Sequence, residues 1–548
     1  MTDGFPLKQW GCRIGNAITL APRRNGIPSC AMRSALTLLV LLFAFPAVAG
    51  GIQFADRASG LSGAPQIYDG GWEHFVGGGV AVFDCDSDGY PDFLAAGGAN
   101  PSGFFRNVTV APGGDLSFTR AAMPALDGVT GVTGAYPLDI DNDGNIDLVV
   151  LRAGPNLFLK GDGACGFQDA GPSWGLDGEN RWSTAFSATW EPGQTLPTLA
   201  IGNYVDRGNP DGPFMACDVN TLFRPDGDVY TPPASLSPGY CALSMLFTDW
   251  SRRGTADLRV SNDRQYYVRG GSEQMWRLDP LRLLNEADGW RPISIWGMGI
   301  ASEDLNGDLR PDVVLTSMGD QLLQYATETA GYRDAPYATG ATAHRPHVGD
   351  DGRPSTGWHA QFGDVDNDGR PDLFISKGNV DQMPGMAMRD PNNLLRQNAD
   401  GTFTEVSVEA GIATVERSRG AALTDLNRDG LLDLIVVNRR APLELWQNVT
   451  TDAGNWVAVT PRQDGANTFA VGGWIEVRGP DGHVATQELT VGGGHAGGQA
   501  GPIHFGLGAA DAAEIRVLWP DGSASDWMQL PANRLVTIWR DGAELARR

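Results

Sequence analysis

The sequence predicts an all-β protein: a seven-bladed β-propeller with calcium loops, followed by a small C-terminal β domain. Three observations predict it. A nine-residue acidic pattern occurs five times, and each copy runs into a short apolar stretch. Counting two degenerate copies, first positions fall at residues 84, 139, 190, 249, 304, 364 and 425. A regular period of this order marks a solenoid, an array or a propeller.

The five full copies place oxygen-bearing side chains at positions one, three, five and nine. They are Asp84, Asp86, Asp88 and Asp92; Asp139, Asp141, Asp143 and Asp147; Asp304, Asn306, Asp308 and Asp312; Asp364, Asp366, Asp368 and Asp372; and Asp425, Asn427, Asp429 and Asp433. A hard cation such as Ca²⁺ takes six to eight oxygens, which alternate residues of a tight loop can supply. The position-seven residues, Tyr90, Asn145, Arg310, Arg370 and Leu431, offer a carbonyl. Glycine at position six (Gly89, Gly144, Gly369, Gly430) permits the sharp bend. An EF-hand is excluded, because a strand-like run such as Leu148-Val-Val-Leu151 follows where that motif needs a helix and a position-twelve Glu.

Each repeat then adds strands. Gly79–Phe83 precedes the first loop and Phe93–Ala96 follows it; Gly103–Asn107 and Leu116–Thr119 complete the unit. Later copies repeat this at Asn156–Leu159 and Gly166–Asp169, at Asn393–Asn398 and Gly401–Val406, and at Leu443–Asn448. Two decayed copies fill the gap, Trp190 to Ile201 and Asp249 to Leu258. Four strands repeated seven times fit a propeller. The seventh unit lacks its last strand, and Gly51–Asp56 is expected to supply it and lock the ring.

The formal charge of −24 argues against nucleic acid as a partner. Met32-Arg33, an apolar run to Pro46 and Ala47-Val-Ala49 describe a secretory signal at 32–49. Residues 1–31 read as an upstream extension from a misplaced start. No transmembrane span is expected after cleavage. Removing residues 1–49 takes five basic residues and one acid, so the remainder is more acidic still. Export permits disulfides. Cys217 and Cys241 flank a Pro- and Gly-rich insertion and are candidates for pairing; Cys85 reads as a buried thiol, and Cys165 has no evident partner. Domain limits are 50–448 for the propeller and 449–548 for the C-terminal module, which lacks Asp loops and alternates at Trp474–Arg478, Glu514–Trp519 and Leu535–Trp539.

These features carry a family resemblance. The DxDxDGxxD loops are similar to FG-GAP/VCBS repeats, the blades of integrin-α-like propellers. Asn455–Val459, Phe469–Val477, His504-Phe-Gly-Leu-Gly508 and Ile515–Gly522 resemble an ASPIC/UnbV domain. Together they resemble bacterial relatives of the cartilage acidic protein family. The resemblance implies an exported protein, periplasmic, cell-surface or secreted, that acts in binding or adhesion and holds about four or five structural Ca²⁺ ions. Leu309 replaces glycine at position six of the Asp304 loop, and neutral Asn427 should weaken its own loop.

Two other functional classes compete. One is a carbohydrate-active lyase or hydrolase on a propeller. Its candidate groups are Glu73 with His74, His344 and His347 near Asp350 and Asp351, His359, His483, His495 and His504, each of which also suits a structural role. No GxSxG, HExxH or P-loop occurs. The other is a surface scaffold with Trp276, Trp290, Trp296 and Trp358 as anchors for a protein or glycan ligand, against which packing between blades is the stronger reading of these four residues. Asn107-Val-Thr and Asn448-Val-Thr match glycosylation acceptors, but both Asn residues occupy one repeat position, which favours a turn role.

Overall fold

The computed structural model describes residues 51–212, 216–263, 270–346, 352–540 and 542–545. The expected signal and upstream extension lie outside these residues, as do His347, Asp350 and Asp351. The described chain is all-β, with two helices of four residues each.

Seven antiparallel meanders follow one another. The first comprises Val80–Phe83, Asp92–Ala95, Gly103–Asn107 and Phe118–Ala121. The second runs through Val132–Leu138, Asp147–Pro155, Leu157–Gly161 and Phe167–Asp169. The third has Asn180–Thr189, Thr198–Asn203, Asn220–Phe223 and Ala234–Leu236. The fourth has Ala242–Thr248, Asp257–Asn262, Gln274–Arg277 and Arg282–Leu283, and the fifth Gly297–Glu303, Asp312–Ser317, Leu322–Ala326 and Tyr332–Asp334. The sixth has Gly357–Gly363, Asp372–Lys377, Asn393–Gln397 and Phe403–Glu405. The seventh joins Arg417–Thr424, Asp433–Arg439 and Glu444–Asn448 to the N-terminal strand Phe54–Asp56. That last pairing, Phe54 opposite Asn448, is the one the sequence predicts.

The second strands are buried and mostly apolar, as strands covered on both faces are; the fourth, Asp257–Asn262, is the polar exception and buries Arg259, Ser261 and Asn262. First strands pack neighbour to neighbour, and Val80–Phe83 touches both Val132–Leu138 and Arg417–Thr424. Apolar clusters bridge successive meanders: Phe83, Phe93, Phe105, Leu148, Leu159, Leu426 and Ile435 share one. Within it Phe93 stacks on Phe105 at 4.7 Å, with Phe118 edge-on at 5.0 Å. Burying each ring removes 150–250 Å² from water, a large share of what holds neighbouring meanders together.

Beyond residue 448 two four-stranded sheets face each other. One orders Ile503–Gly508, Asn455–Arg462, Arg534–Trp539 and Gly542–Leu545; the other orders Val484–Glu488, Trp474–Arg478, Ala512–Leu518 and Met528–Pro531. Val457, Val459, Ile475, Ile515, Val517 and Ile538 fill the space between.

The segment between Glu488 and Ile503 leaves this module and runs among the first strands of the meanders. Val491 bridges Ala188, Gly492 bridges Leu246, Gly494 bridges Ile300, Gly497 bridges Ala135, and Gln499–Ala500 pairs in parallel with Val82–Phe83. Val82 N–H donates to Gly498 O at 3.0 Å, and Gly494 N–H to Ile300 O at 2.7 Å. Glycine on both sides makes this approach possible: a Cβ at Gly79 or at Gly134 would lie 1.7 Å from Ala496 O. Fully buried His495 donates nothing to solvent. Its Nε2 accepts from Gly77 N–H and its Nδ1 meets Met298 O at 3.1 Å, while burial drives its pKa down to about 3.

Two expectations are corrected. Cys85 is not a free thiol and Cys165 is not unpartnered: they form a disulfide, Cα atoms 4.8 Å apart. Cys165 sits in a tight turn (φ 65°) that carries it against the loop of the preceding meander, a neighbour that lies 80 residues away in the chain. Trp276, Trp290 and Trp358 are core residues rather than surface anchors, and Trp296 is half-buried beside Trp182 and Met298. The second pair, Cys217–Cys241, is bonded.

Candidate metal centres

Each acidic loop joins the first and second strands of its meander, and its four acid or amide positions divide the labour. Position one organises the turn. Asp84 accepts the N–H groups of Asp88 and Gly89 on its two oxygens, and Asp139, Asp364 and Asp425 repeat this with residues four and five places on. Asp304 does the same with Asp308 and Leu309. Positions four and six are left-handed in every loop; at position six Gly89, Gly144, Gly369 and Gly430 have φ of 84–88°, and Leu309 adopts 65° without glycine's freedom.

Position nine is a latch between strands. Asp433 accepts Leu426 N–H and Asn448 N–H, both at 2.9 Å. Asp92, Asp147, Asp312 and Asp372 make the equivalent pair of bonds. Burial raises the Asp147 carboxyl to about 8 and that of Asp312 to about 7, despite these donors. Burial, then the neighbouring carboxylates, lifts Asp364 well above its usual value, and its neighbour Asp372 likewise.

Positions three and five face the loop interior. Position-five carboxylates accept the N–H of position seven: Tyr90, Asn145, Arg310, Arg370 and Leu431. Position three separates the loops into two kinds. Asp86, Asp141 and Asp366 each keep a buried Oδ1 with no hydrogen-bond partner among the described residues. Asn306 and Asn427 satisfy themselves instead, donating to Asp312 Oδ2 (3.2 Å) and Asp429 Oδ2 (3.0 Å).

The first, second and sixth meanders therefore hold groups fit for a metal ion. Asp84, Asp86 and Asp88 bring ligand oxygens within 4.8 Å of one another, as do Asp139, Asp141 and Asp147, and Asp364, Asp366 and Asp372. An all-oxygen donor set with an orphaned buried carboxylate oxygen suits a hard divalent cation. The Asp304 and Asp425 loops share the turn and the latch but not this clustering among the described residues.

The same loops seat the C-terminal module. Asn467 N–H donates to Asn142 Oδ1, the Thr468 hydroxyl bonds Asp139 Oδ2, Gly454 N–H donates to Asp366 O, and Gly508 N–H to Asn367 O. His504 meets Asn367 Oδ1 at 2.7 Å and stacks on Trp456. A second recurrent contact joins meanders to each other. The Asn448 amide donates to Val365 O, that of Asn107 to Leu426 O and that of Gln397 to Leu305 O, each the position-two carbonyl of the preceding loop. Asn107 and Asn448 also accept Thr109 and Thr450 N–H, so both match the expected turn role. In the second meander this position is Gly161, and Cys165 takes over: its N–H donates to Cys85 O beside the disulfide.

The histidines fall into structural places. His359 Nδ1 accepts His495 N–H at 3.1 Å, His344 pairs with Asp320 at the surface, His483 packs near Gly307, and His74 is buried against Tyr68. A 360 Å³ cavity between the fifth and sixth meanders and the C-terminal module touches His359, Gln361 and Glu488. These are committed elsewhere: Gln361 bonds Leu423 at both ends, and Glu488 accepts from Thr248 and from Asp249 N–H. Two features escaped sequence reading. The segment Val491–Ala500 that runs among the first strands gives only a Gly-rich run as a signal. The basic residues that face the loops stand at a fixed place in the third strand.

Fold and site together define a repeat protein whose metal-competent loops carry a C-terminal module. Residues 84–150 match the FG-GAP-like repeat family and residues 463–545 match the family described as ASPIC and UnbV. The chain is similar to cartilage acidic protein 1 of Mus musculus, 26% identical over 233 residues, which is 41% of this chain and 34% of that protein. The match thus spans 34% of the relative's length. Among solved structures it is similar to BBS1N in complex with ARL6DN (TM-score 0.43, 10% identity, 73% of this chain and 98% of that one) and to the Dos1 propeller (TM-score 0.34, 11% identity, 68% and 92%). No helix among the described residues is long and apolar enough to cross a membrane.

Proposed function

We propose that residues 50–448 form a closed seven-bladed propeller whose loops hold structural Ca²⁺, that residues 449–548 form a module docked on those loops, and that the exported protein works by binding a protein or glycan outside the cytoplasm. The observation that carries the metal reading is the unpartnered, buried Oδ1 repeated at Asp86, Asp141 and Asp366. In the family that the sequence resembles, such loops take calcium. A structural role is supported by the surroundings: the loops are clasped by neighbouring blades, and those at Asp139 and Asp364 also by the C-terminal module. Catalytic metal sites keep an open position. Two disulfides support export.

Binding is favoured over catalysis because Val491–Ala500 runs among the first strands, which in the proposed ring would line the axis where propellers place active sites, and His359 and His495 are engaged in structural bonds.

The test is thermal unfolding of residues 50–548 in calcium and in chelator, with bound metal counted. At tenfold excess over Kd each site adds roughly 1.4 kcal/mol, so several sites together raise Tm markedly. Three to five ions per chain and a large rise are expected. No ions and no rise would sink the calcium reading.

A further inference from the structure

One register position carries a pattern across the repeats. One place beyond the cross-strand pairs Phe93–Phe105, Leu148–Leu159, Val313–Gln324, Leu373–Leu395 and Leu434–Trp446 stand Arg106, Lys160, Tyr325, Arg396 and Gln447. The residue is basic where position three is Asp and neutral where it is Asn. Its geometry is also constant. Arg106 bonds Asp86 Oδ2, Lys160 bonds Asp141 Oδ2, and Arg396 Nε bonds Asp366 Oδ2 at 2.6 Å, each leaving Oδ1 as the orphaned atom. The same groups reach a second loop carboxylate: Asp92 at 3.2 Å, Asp143 at 2.9 Å and Asp368 at 2.6 Å.

The decayed loops extend the pattern. There the equivalent residues are Arg224 and Arg277, and each closes on the acid that remains, Glu191 at 2.6 Å and Asp257 at 3.2 Å. Position-seven arginines do not account for it, since Arg310 and Arg370 occur in one loop of each kind and touch position five.

We propose that Arg106, Lys160 and Arg396 are resident counter-cations of the metal loops. Each balances the extra position-three carboxylate and holds its outer oxygen while the inner one faces the ion. The fixed positive charge stabilises the ion-free loop, and by repelling the incoming ion it sets the loop's affinity lower than its four carboxylates would otherwise give. Acid and base therefore vary together so that every loop offers a divalent ion a similar net charge. This rests on the calcium reading of the loops.

The test is calorimetric Ca²⁺ titration of residues 50–548 carrying Arg106→Gln, Lys160→Gln and Arg396→Gln, with melting in chelator alongside. Three sites are expected to tighten by about tenfold or more, while the chelator-state Tm falls. Should the triple variant fail to fold, the sixth loop alone decides. Asp366→Asn is expected to weaken that loop, and Asp366→Asn with Arg396→Gln, which copies the natural Asn427–Gln447 pairing, to restore it. Unchanged or weaker binding in the triple variant, or no restoration in the double, would overturn the counter-cation role while leaving the calcium reading intact. A wild type that takes up no ion removes both.

Discussion

The first, second and sixth meanders and the third and fourth meanders solve one problem in two ways. All carry a basic residue at the same third-strand place. In the first group it faces four loop carboxylates and leaves one oxygen over. In the second, Arg224 pairs with Glu191 through two bonds of 2.6 and 3.0 Å, Arg277 pairs with Asp257, and charge is balanced within the protein. The fourth loop nevertheless keeps its turn: Arg252 and Gly254 have φ of 54° and 75°, and Asp249 still accepts Arg253 and Gly254 N–H. The loop shape thus needs only positions one and six, and what the metal-competent loops add is the position-three carboxylate beside those at one and at five or nine. Architecture and metal chemistry are separable on the same nine residues.

The largest effect expected is at the latch. Asp433→Ala strands Leu426 and Asn448 N–H in the core, at about 1–3 kcal/mol for each unsatisfied group. It should lower Tm in chelator as well as in calcium, because the two lost bonds do not depend on an ion. Asp366→Ala should leave the chelator-state Tm nearly unchanged and flatten the calcium response instead. If Asp433→Ala acted only in calcium, the separation would fail.

Next comes the clasp between the first and second meanders. Replacing Cys85 and Cys165 together by Ala removes a closure over 80 residues, worth about 4 kcal/mol in the chain-entropy picture. Asn448→Ala, which takes away the corresponding amide clasp elsewhere, should cost about 1–3 kcal/mol because Val365 O loses its donor. Urea unfolding of the two variants ranks the clasps.

A smaller effect separates the docked module from the loops. Burial lifts the Glu488 carboxyl to about 8, so the folded state favours its protonated form. Its contribution is complete below the ordinary carboxylate range and is lost as pH rises through about 8. Stability should therefore decline by up to about 1.4 kcal/mol per pH unit from this group as pH rises from the ordinary carboxylate range towards 8 and level off above it, and Glu488→Gln should remove that decline. Melting curves from pH 6 to 9 decide it; a decline that persists in the variant belongs to other groups.

Much of this was legible in sequence because the repeat is local. The Asp loops, the strands that follow them, the Phe54–Asp56 closure and the turn role of Asn107 and Asn448 all rest on patterns within one repeat or on one unit's missing part. What escaped lies between repeats. Cys85 meets Cys165 only because consecutive meanders stand side by side. Arg106 and Lys160 gain meaning from strand register, which places them over a loop some 20 residues earlier. The segment Val491–Ala500 has no pattern beyond small residues, since its partners are first-strand backbones scattered from Val82 to Ile300. Burial of the tryptophans likewise follows from packing that composition does not encode.

The segment Val491–Ala500 has a consequence for the order of assembly. Both of its ends return to the same module, at Glu488 and Ile503, so it is a hairpin-like finger rather than a threaded terminus. A finger enters and leaves through one mouth, and no chain end has to pass through the ring. In the closed propeller proposed above, the meanders can assemble first, with Arg57 meeting Gln447 across 390 residues, and receive the finger afterwards as an intramolecular ligand. Tethering gives that ligand a high effective concentration without any further contact. Cutting the short connection near Ala453 would leave the two halves joined by the finger and the loop contacts without a covalent link, and their separation would then depend on dilution.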